Sequence, residues 1–458
     1  MIANALAARN RSGGVVVPPT LPISVGLDGF TVKYSITGVA QWAATIRGDG
    51  SDVGNAVATD STGVYVTGNY TSTSAVNLGS GVILPVSSGS TDTFIIKYNR
   101  SGVAQWAATV PATSSDTGNG IATDSTGVYV IGTYSSTSVV TLNNGKTLPA
   151  SLDSDAFIVK YDTSGQAQWV ATVGSGGIFD GGRGIATDST GVYVTGNYTS
   201  ASVVTLNNGK TLPASVDQDA FIVKYDTSGQ AQWTATVPGT GSEIGYGIAT
   251  DSTGVYVTGR YSSTSVVTLN NGKTLPISVL LDAFIVKYDT SGQAQWTATV
   301  PGTGNDQGFG IATDSTGVYV TGQYSSTSVV TLNNGKTLPA TVLFDAFIVK
   351  YDTNGQAQWT ATVGSNGNDG GYGIATDSTG VYVTGQYSSS SPVTLNNGKT
   401  LPISVGLDAF IVKYDTSGQA QWTATVPGTG SDIGYGIATD STGVYVTGQY
   451  TSTTIVTL

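Results

Sequence analysis

Seven tryptophans, each inside the phrase Ala-Gln-Trp, divide this chain into units of nearly constant length. They are Trp42, Trp106, Trp169, Trp233, Trp296, Trp359 and Trp422, spaced 64, 63, 64, 63, 63 and 63 residues apart. Such a period overrides the several domains that 458 residues would otherwise suggest, because repeats stack into one body whatever their number.

One whole unit reads from Gly247. Residues 247–251, GIATD, form a short strand that ends in the turn Asp251-Ser-Thr-Gly254, and Val255 to Tyr261 form a second. The stretch VVTLNNGKTLP (266–276) reads as a β-hairpin, with Asn-Gly at its tip favouring a type I′ turn. Ala283 to Tyr288 form a third core strand, and after the turn Asp289-Thr-Ser-Gly292 the strand Ala294 to Val300 closes the unit. No stretch combines helical periodicity with caps, so the fold class is all-β. The chain enters with TLPISVGLDGFTVKY (20–34) and ends on VYVTGQYTSTTIVTL (444–458), each part of a unit. A solenoid would leave both as exposed edges, whereas a ring pairs them. The expectation is a closed seven-bladed β-propeller over residues 15–458. Its blades are four-stranded with an extra hairpin insert, its ends pair, and residues 1–14 form a flexible arm.

The repeated DAFIVKYDTSGQAQW, then a Gly-rich loop with an acid, then GIATDSTGVYVTG, resembles the SBBP repeat from about Leu21 to Leu458. The inserted hairpin departs from the simplest pattern of that family. The resemblance implies a seven-bladed propeller, usually in proteins of bacterial or archaeal surfaces or of large viruses. It therefore favours a surface, extracellular or virion-associated location. It implies no enzyme activity and transfers no catalytic residue.

Composition removes whole classes of chemistry. The chain has no Cys and no His, which excludes disulfides, thiol chemistry, Cys/His zinc sites and nucleophile–imidazole pairs. No cofactor and no metal site are expected. A net charge of −11 repels a phosphate backbone, so nucleic acid is not an expected partner. Met1 to Gly14 lacks the apolar stretch of a signal peptide, and no run is long enough to insert in a membrane.

In a propeller the connections alternate between two faces. The Asp-Ser-Thr-Gly and Asp-Thr-Ser/Asn-Gly turns belong to one face, where their carboxylates fix turn geometry. The inter-blade loops and the hairpin insert belong to the other. There the copies differ, and binding residues generally sit on variable loops held by a rigid frame.

Two rings of residues stand out on that loop face. The first is acidic: Asp52, Asp116, Asp180, Glu243, Asp306, Asp369 and Asp432. They can order the loops by accepting backbone N–H groups, or line a channel mouth that attracts a cation; sevenfold repetition favours the first role. The second lies three residues on: Asn55, Asn119, Arg183, Tyr246, Phe309, Tyr372 and Tyr435. Four neighbouring blades thus carry aromatics and three carry polar groups. Such a mouth suits sugars, which offer C–H faces for stacking and hydroxyls for hydrogen bonds, although the rings can equally pack against adjacent blades.

Other positions also differ. The residue before the second-strand Tyr is Asn69, Thr133, Asn197, Arg260, Gln323, Gln386 or Gln449, and Leu280-Leu281 and Leu343-Phe344 make a partner patch on two adjacent blades if exposed, or equally cover the hairpin. Trp233 shares a strand face with Ala231, Ala235 and Val237, which places it against the next blade rather than on a sugar platform. Lysines such as Lys287 recur in the third strand and call for an acid from a neighbouring turn. Asn69, Asn99 and Asn197 head glycosylation sequons, relevant only on a secretory route.

Three readings follow. The residues favour a non-catalytic binding or scaffold propeller that presents its variable loop face to a glycan or protein partner. The second is a structural component of a viral particle or surface layer. The third is a carbohydrate-active enzyme using two ring carboxylates, which must differ in pKa although their surroundings are near-identical.

Overall fold

The computed structural model describes residues 17–88, 90–174 and 180–458; the expected arm at 1–14 lies outside them. Seven four-stranded antiparallel sheets form the blades, and among the described residues the helical segments are five three-residue 3-10 turns. In one blade the strands run Ile244–Asp251, Gly254–Ser263, Ser278–Tyr288 and Ala294–Val300 from the axis outward. The first, inner strands are mutual neighbours around the ring, and Val53–Asp60 meets Ile433–Asp440 to complete the circle. The seventh blade is composite. Asp28–Tyr34 pairs with Gly443–Tyr450, Ala40–Ile46 lies outside it, and Thr20–Leu21 completes the last hairpin with Val456–Thr457.

The circle is also laced by side chains. Thr59 Oγ1 donates to Thr439 O, Thr123 to Thr59, Thr187 to Thr123 and Thr250 to Thr187, at 2.9–3.2 Å. Thr313, Thr376 and Thr439 continue the sequence and close it. Each is the Thr of the GIATD phrase, or of AVATD for Thr59, so one residue type per repeat yields a ring that exists only when all seven blades are in place.

The core lies between blades. Tyr193, Ile222 and Val237 of one sheet pack with Val257, Phe284 and Val286 of the next, all buried. Trp233 sits at this seam, its Nε1–H donating to Thr290 O of the following blade at 3.1 Å. The turn residue above it must be Gly292: φ is +82°, and a Cβ would stand 2.8 Å or less from the indole. Lys287 departs from expectation. Its Nζ bonds Thr253 Oγ1 at 2.7 Å and lies 5.0 Å from the Tyr256 ring centroid, while Asp251 holds that threonine. A hydroxyl and a π-face therefore replace the expected direct carboxylate partner.

The hairpin inserts do not stay on the loop face. Each leaves from it but folds down the outer flank, where Asn270 accepts the Ala294 N–H and donates to Gly292 O. Asn271 donates to Ala294 O. These amides pair with the start of the outer strand much as another strand would, covering an edge that is otherwise open to aggregation. Asn271 and Gly272 both have positive φ, as a type I′ tip requires. The loop face carries the inter-blade loops together with the segments that lead into and out of each hairpin.

Candidate functional site: the loop-face mouth

The seven divergent residues share one backbone device. The inner strand loses register with the second strand between Gly245 and Gly247, so Tyr246 is the extra residue of a β-bulge. Asn55, Asn119, Arg183, Phe309, Tyr372 and Tyr435 occupy the same bulge in the other blades. A bulge breaks strand alternation and re-aims one side chain. The signal is present in the sequence as Gly-x-Gly (118–120, 182–184, 245–247, 308–310, 371–373, 434–436).

The aromatic members form a continuous arc. Ring centroids are 5.2 Å apart for Tyr246–Phe309, 5.1 Å for Phe309–Tyr372 and 5.5 Å for Tyr372–Tyr435. Interplanar angles of 46–59° put edges toward faces, as ring quadrupoles prefer. Each ring thus packs on its neighbour in the next blade, yet all four are only half-buried. Tyr246 OH donates to Gln307 Oε1, and Tyr435 OH to Gln449 Oε1, both at 3.4 Å.

The polar members behave differently. Asn55 Nδ2 donates to Gly118 O and Asn119 Nδ2 to Gly182 O, at 3.0 and 2.8 Å, so both amides tie one blade to the next. Arg183 has no such tie, and its Nε is buried without a partner. Beside it, Arg260 lies with its guanidinium carbon 5.9 Å from the Tyr246 centroid and donates to Gln307 Oε1 at 3.4 Å.

The acidic ring lies at the bases of the inter-blade loops, each acid three residues before the bulge of its inner strand. Asp52, Asp116, Asp180, Glu243, Asp306, Asp369 and Asp432 are all buried to within 1%. Asp306 accepts the Ser325 N–H at 3.0 Å and the Gly302 N–H; Asp432 accepts from Thr451 N at 2.8 Å and from Gly428 N. Asp369 accepts from Ser365 N and Ser388 N, and Asp180 from Thr199 N. Each carboxyl group therefore draws loop amides toward the base of the inner strand. Burial raises the carboxyls to about 7 at Asp52 and Asp432, about 8 at Asp116, Glu243 and Asp306, and about 6 at Asp369. Among the described residues no group of three or more acids is arranged to hold a metal ion.

Other sequence candidates are dispersed. Leu280 and Leu343 are 48% and 44% exposed on adjacent blades. Asn197 is 2% exposed, which closes its sequon to modification in the folded chain. Two shallow notches of about 180 and 280 Å³ lie on the outer flank, between an outer strand and the next hairpin.

Two known proteins are similar to this chain in sequence. A WD repeat-containing protein, L264, of Acanthamoeba polyphaga mimivirus is 26% identical over 436 residues, covering 79% of this chain. The regulatory protein FlaEY of Caulobacter vibrioides is 29% identical over 231 residues, or 45% of this chain. The chain spans only 31% and 23% of those two relatives. No family model matches. Among solved structures, the periplasmic gluconolactonase PpgL of Pseudomonas aeruginosa aligns over 89% of this chain at 10% identity and a TM-score of 0.33. The phage phi92 endosialidase aligns over 87% at 9% identity and 0.34. Likeness this distant bears on neither activity nor ligand. The chain is a seven-bladed propeller of repeats, with similarity to a WD-repeat protein.

Proposed function

We propose that this chain is a non-catalytic binding propeller that presents its bulge-residue mouth to a glycan or protein partner. The observation that carries the reading is the bulge itself. Seven equivalent backbone positions aim a side chain in the same way, and these are positions where near-identical blades diverge. A rigid frame with variable display is how repeat scaffolds build binding surfaces. The likeness to SBBP repeats and the WD-repeat relative support the same class.

Catalysis by ring carboxylates fits poorly. Glycoside hydrolysis needs one acid protonated and one ionised, hence pKa values driven apart. Here burial moves Asp116, Glu243 and Asp306 upward alike. The half-exposed Leu280 and Leu343 favour a second reading, a structural part of a particle or surface layer, because adjacent apolar side chains suit a protein interface.

The test is a glycan-array screen of the purified chain beside Tyr246→Ala/Tyr435→Ala. Binding lost in the variant places the sugar site at the mouth. Silence in both proteins overturns the glycan form and leaves a scaffold held by protein contacts.

A further inference from the structure

Four arginines lie among the described residues, and they divide into two pairs. Arg47 meets Asp28 at 3.0 Å and Arg100 meets Asp440 at 3.5 Å. Arg183 and Arg260 have no carboxylate partner, although the chain carries 29 acids against 18 basic residues. None of residues 1–16, 89 and 175–179 bears an acidic side chain, so the missing counter-charge cannot come from there. Both Nε atoms are buried without a hydrogen bond. The two guanidinium groups also feel each other's charge, and burial holds Arg183 below the usual arginine range. Buried donors and like charges left uncompensated cost stability.

The surroundings converge on the same spot. At Gly181 a Cβ would stand 3.2 Å from Asn197 Oδ1 and Thr133 Oγ1, and 3.7 Å from Arg183 Nε. Val53, Thr117, Ile244, Gln307 and Ile433 place side chains at the equivalent position in five other blades, and Gly370 in the remaining one faces Gln323 and Tyr372 rather than a guanidinium. Glycine leaves that space to a hydroxyl, an amide oxygen and a guanidinium. Tyr246 flanks the pair with a half-buried ring.

We propose that the Arg183–Arg260 sector binds the carboxylate of an acidic sugar, a uronate whose ring rests on Tyr246 while its carboxylate supplies the counter-charge both guanidinium groups lack. Arg suits this role because its donors match a carboxylate in pairs. Thr133, part-exposed beside the pair, offers its hydroxyl to the sugar. An acidic peptide would satisfy the charge but has no C–H face for the aromatic arc. The inference rests on the mouth being the binding surface and narrows its ligand class.

The experiment is calorimetric titration of the full chain with trigalacturonate, its methyl ester and triglutamate. The same titrations are run on Arg183→Gln/Arg260→Gln and on the conservative Arg183→Lys/Arg260→Lys. Trigalacturonate should bind at least about ten-fold tighter than the ester, with that preference lost in the glutamine variant and partly kept in the lysine variant. Thermal melts should show the glutamine variant no less stable than the parent, because it removes two unpaired charges; a large loss would mark the arginines as structural and overturn the proposal. Equal binding of acid and ester overturns the anionic site while leaving the mouth as a sugar surface. Equal binding of triglutamate overturns the sugar. If no titrant binds, while the array shows glycans bound at the mouth, the inference alone falls; an array that is silent as well removes both.

Discussion

The two ends of the ring use carboxyl groups in opposite ways. On the turn face, Asp251 receives the Thr253 N–H and hydroxyl at 2.7 Å, the Gly254 N–H at 3.0 Å and the Tyr256 hydroxyl at 2.8 Å. Burial alone pushes this carboxyl up, but these donors and Lys287 outweigh it and hold the group below its usual range. On the loop face, Asp306 also accepts backbone N–H groups, yet burial prevails and lifts it to about 8. The difference is solvent. A turn at the rim keeps water near the charge, whereas the buried base of an inter-blade loop removes it. The turn face repeats Asp-Ser-Thr-Gly in every blade, while the loop face varies at the bulges, so one end holds the frame and the other is free to specialise.

The comparison can be broken most forcefully at the blade seam. Trp233→Ala removes a ring packed on the next blade's turn and should cost about 3–5 kcal/mol in urea denaturation. A loss no larger than that of Tyr246→Ala at the mouth would show that the turn face does not hold the frame. Next in size is the turn itself. Asp251→Ala strips several donors of their acceptor and should cost about 1.5–3 kcal/mol, with Asp251→Asn milder because it keeps an acceptor oxygen.

Protonation sharpens the contrast. A carboxyl whose folded pKa is raised contributes stability that is complete below its unfolded value near 4 and is lost as pH rises through the folded value. The loop-face acids should therefore make the thermal midpoint fall between pH 5 and 9, through the window of about 6–8. Asp306→Asn should melt like the parent at pH 5 and above it at pH 9. The turn-face carboxyls, being depressed, contribute above pH 4 and lose that contribution only on further acidification. A midpoint that rises from pH 5 to 9 would mean that the amides, not burial, control the loop-face acids. The smallest effect belongs to Arg100→Ala. Its exposed pair with Asp440 bridges the seam where the chain closes and should contribute less than about 1 kcal/mol in a chemical melt.

Much of this was legible in the residues. The tryptophan period, the strand phrases and the split end units led to seven blades with a composite closing sheet, because hydrophobic alternation and turn chemistry are local properties. The acids and the divergent positions could also be named. Their surroundings could not. A charge near the core calls for a carboxylate beside Lys287, and only the folded blade shows Thr253 and Tyr256 at that place. The hairpin leaves from the loop face, but its asparagines pull it down the flank through contacts some 22 residues distant in sequence.

The sequence by itself determined the unit, its number and its turns, since each depends on residues within one repeat. Tertiary structure alone decided what happens between repeats. It linked the threonine hydroxyls into a closed ring and sank the acids out of water. It also brought Arg183 beside Arg260, 77 positions later in the chain, with no carboxylate between them. These are properties of neighbouring blades. Burial and charge coupling depend on distance in space, which a linear pattern does not carry until the ring has closed.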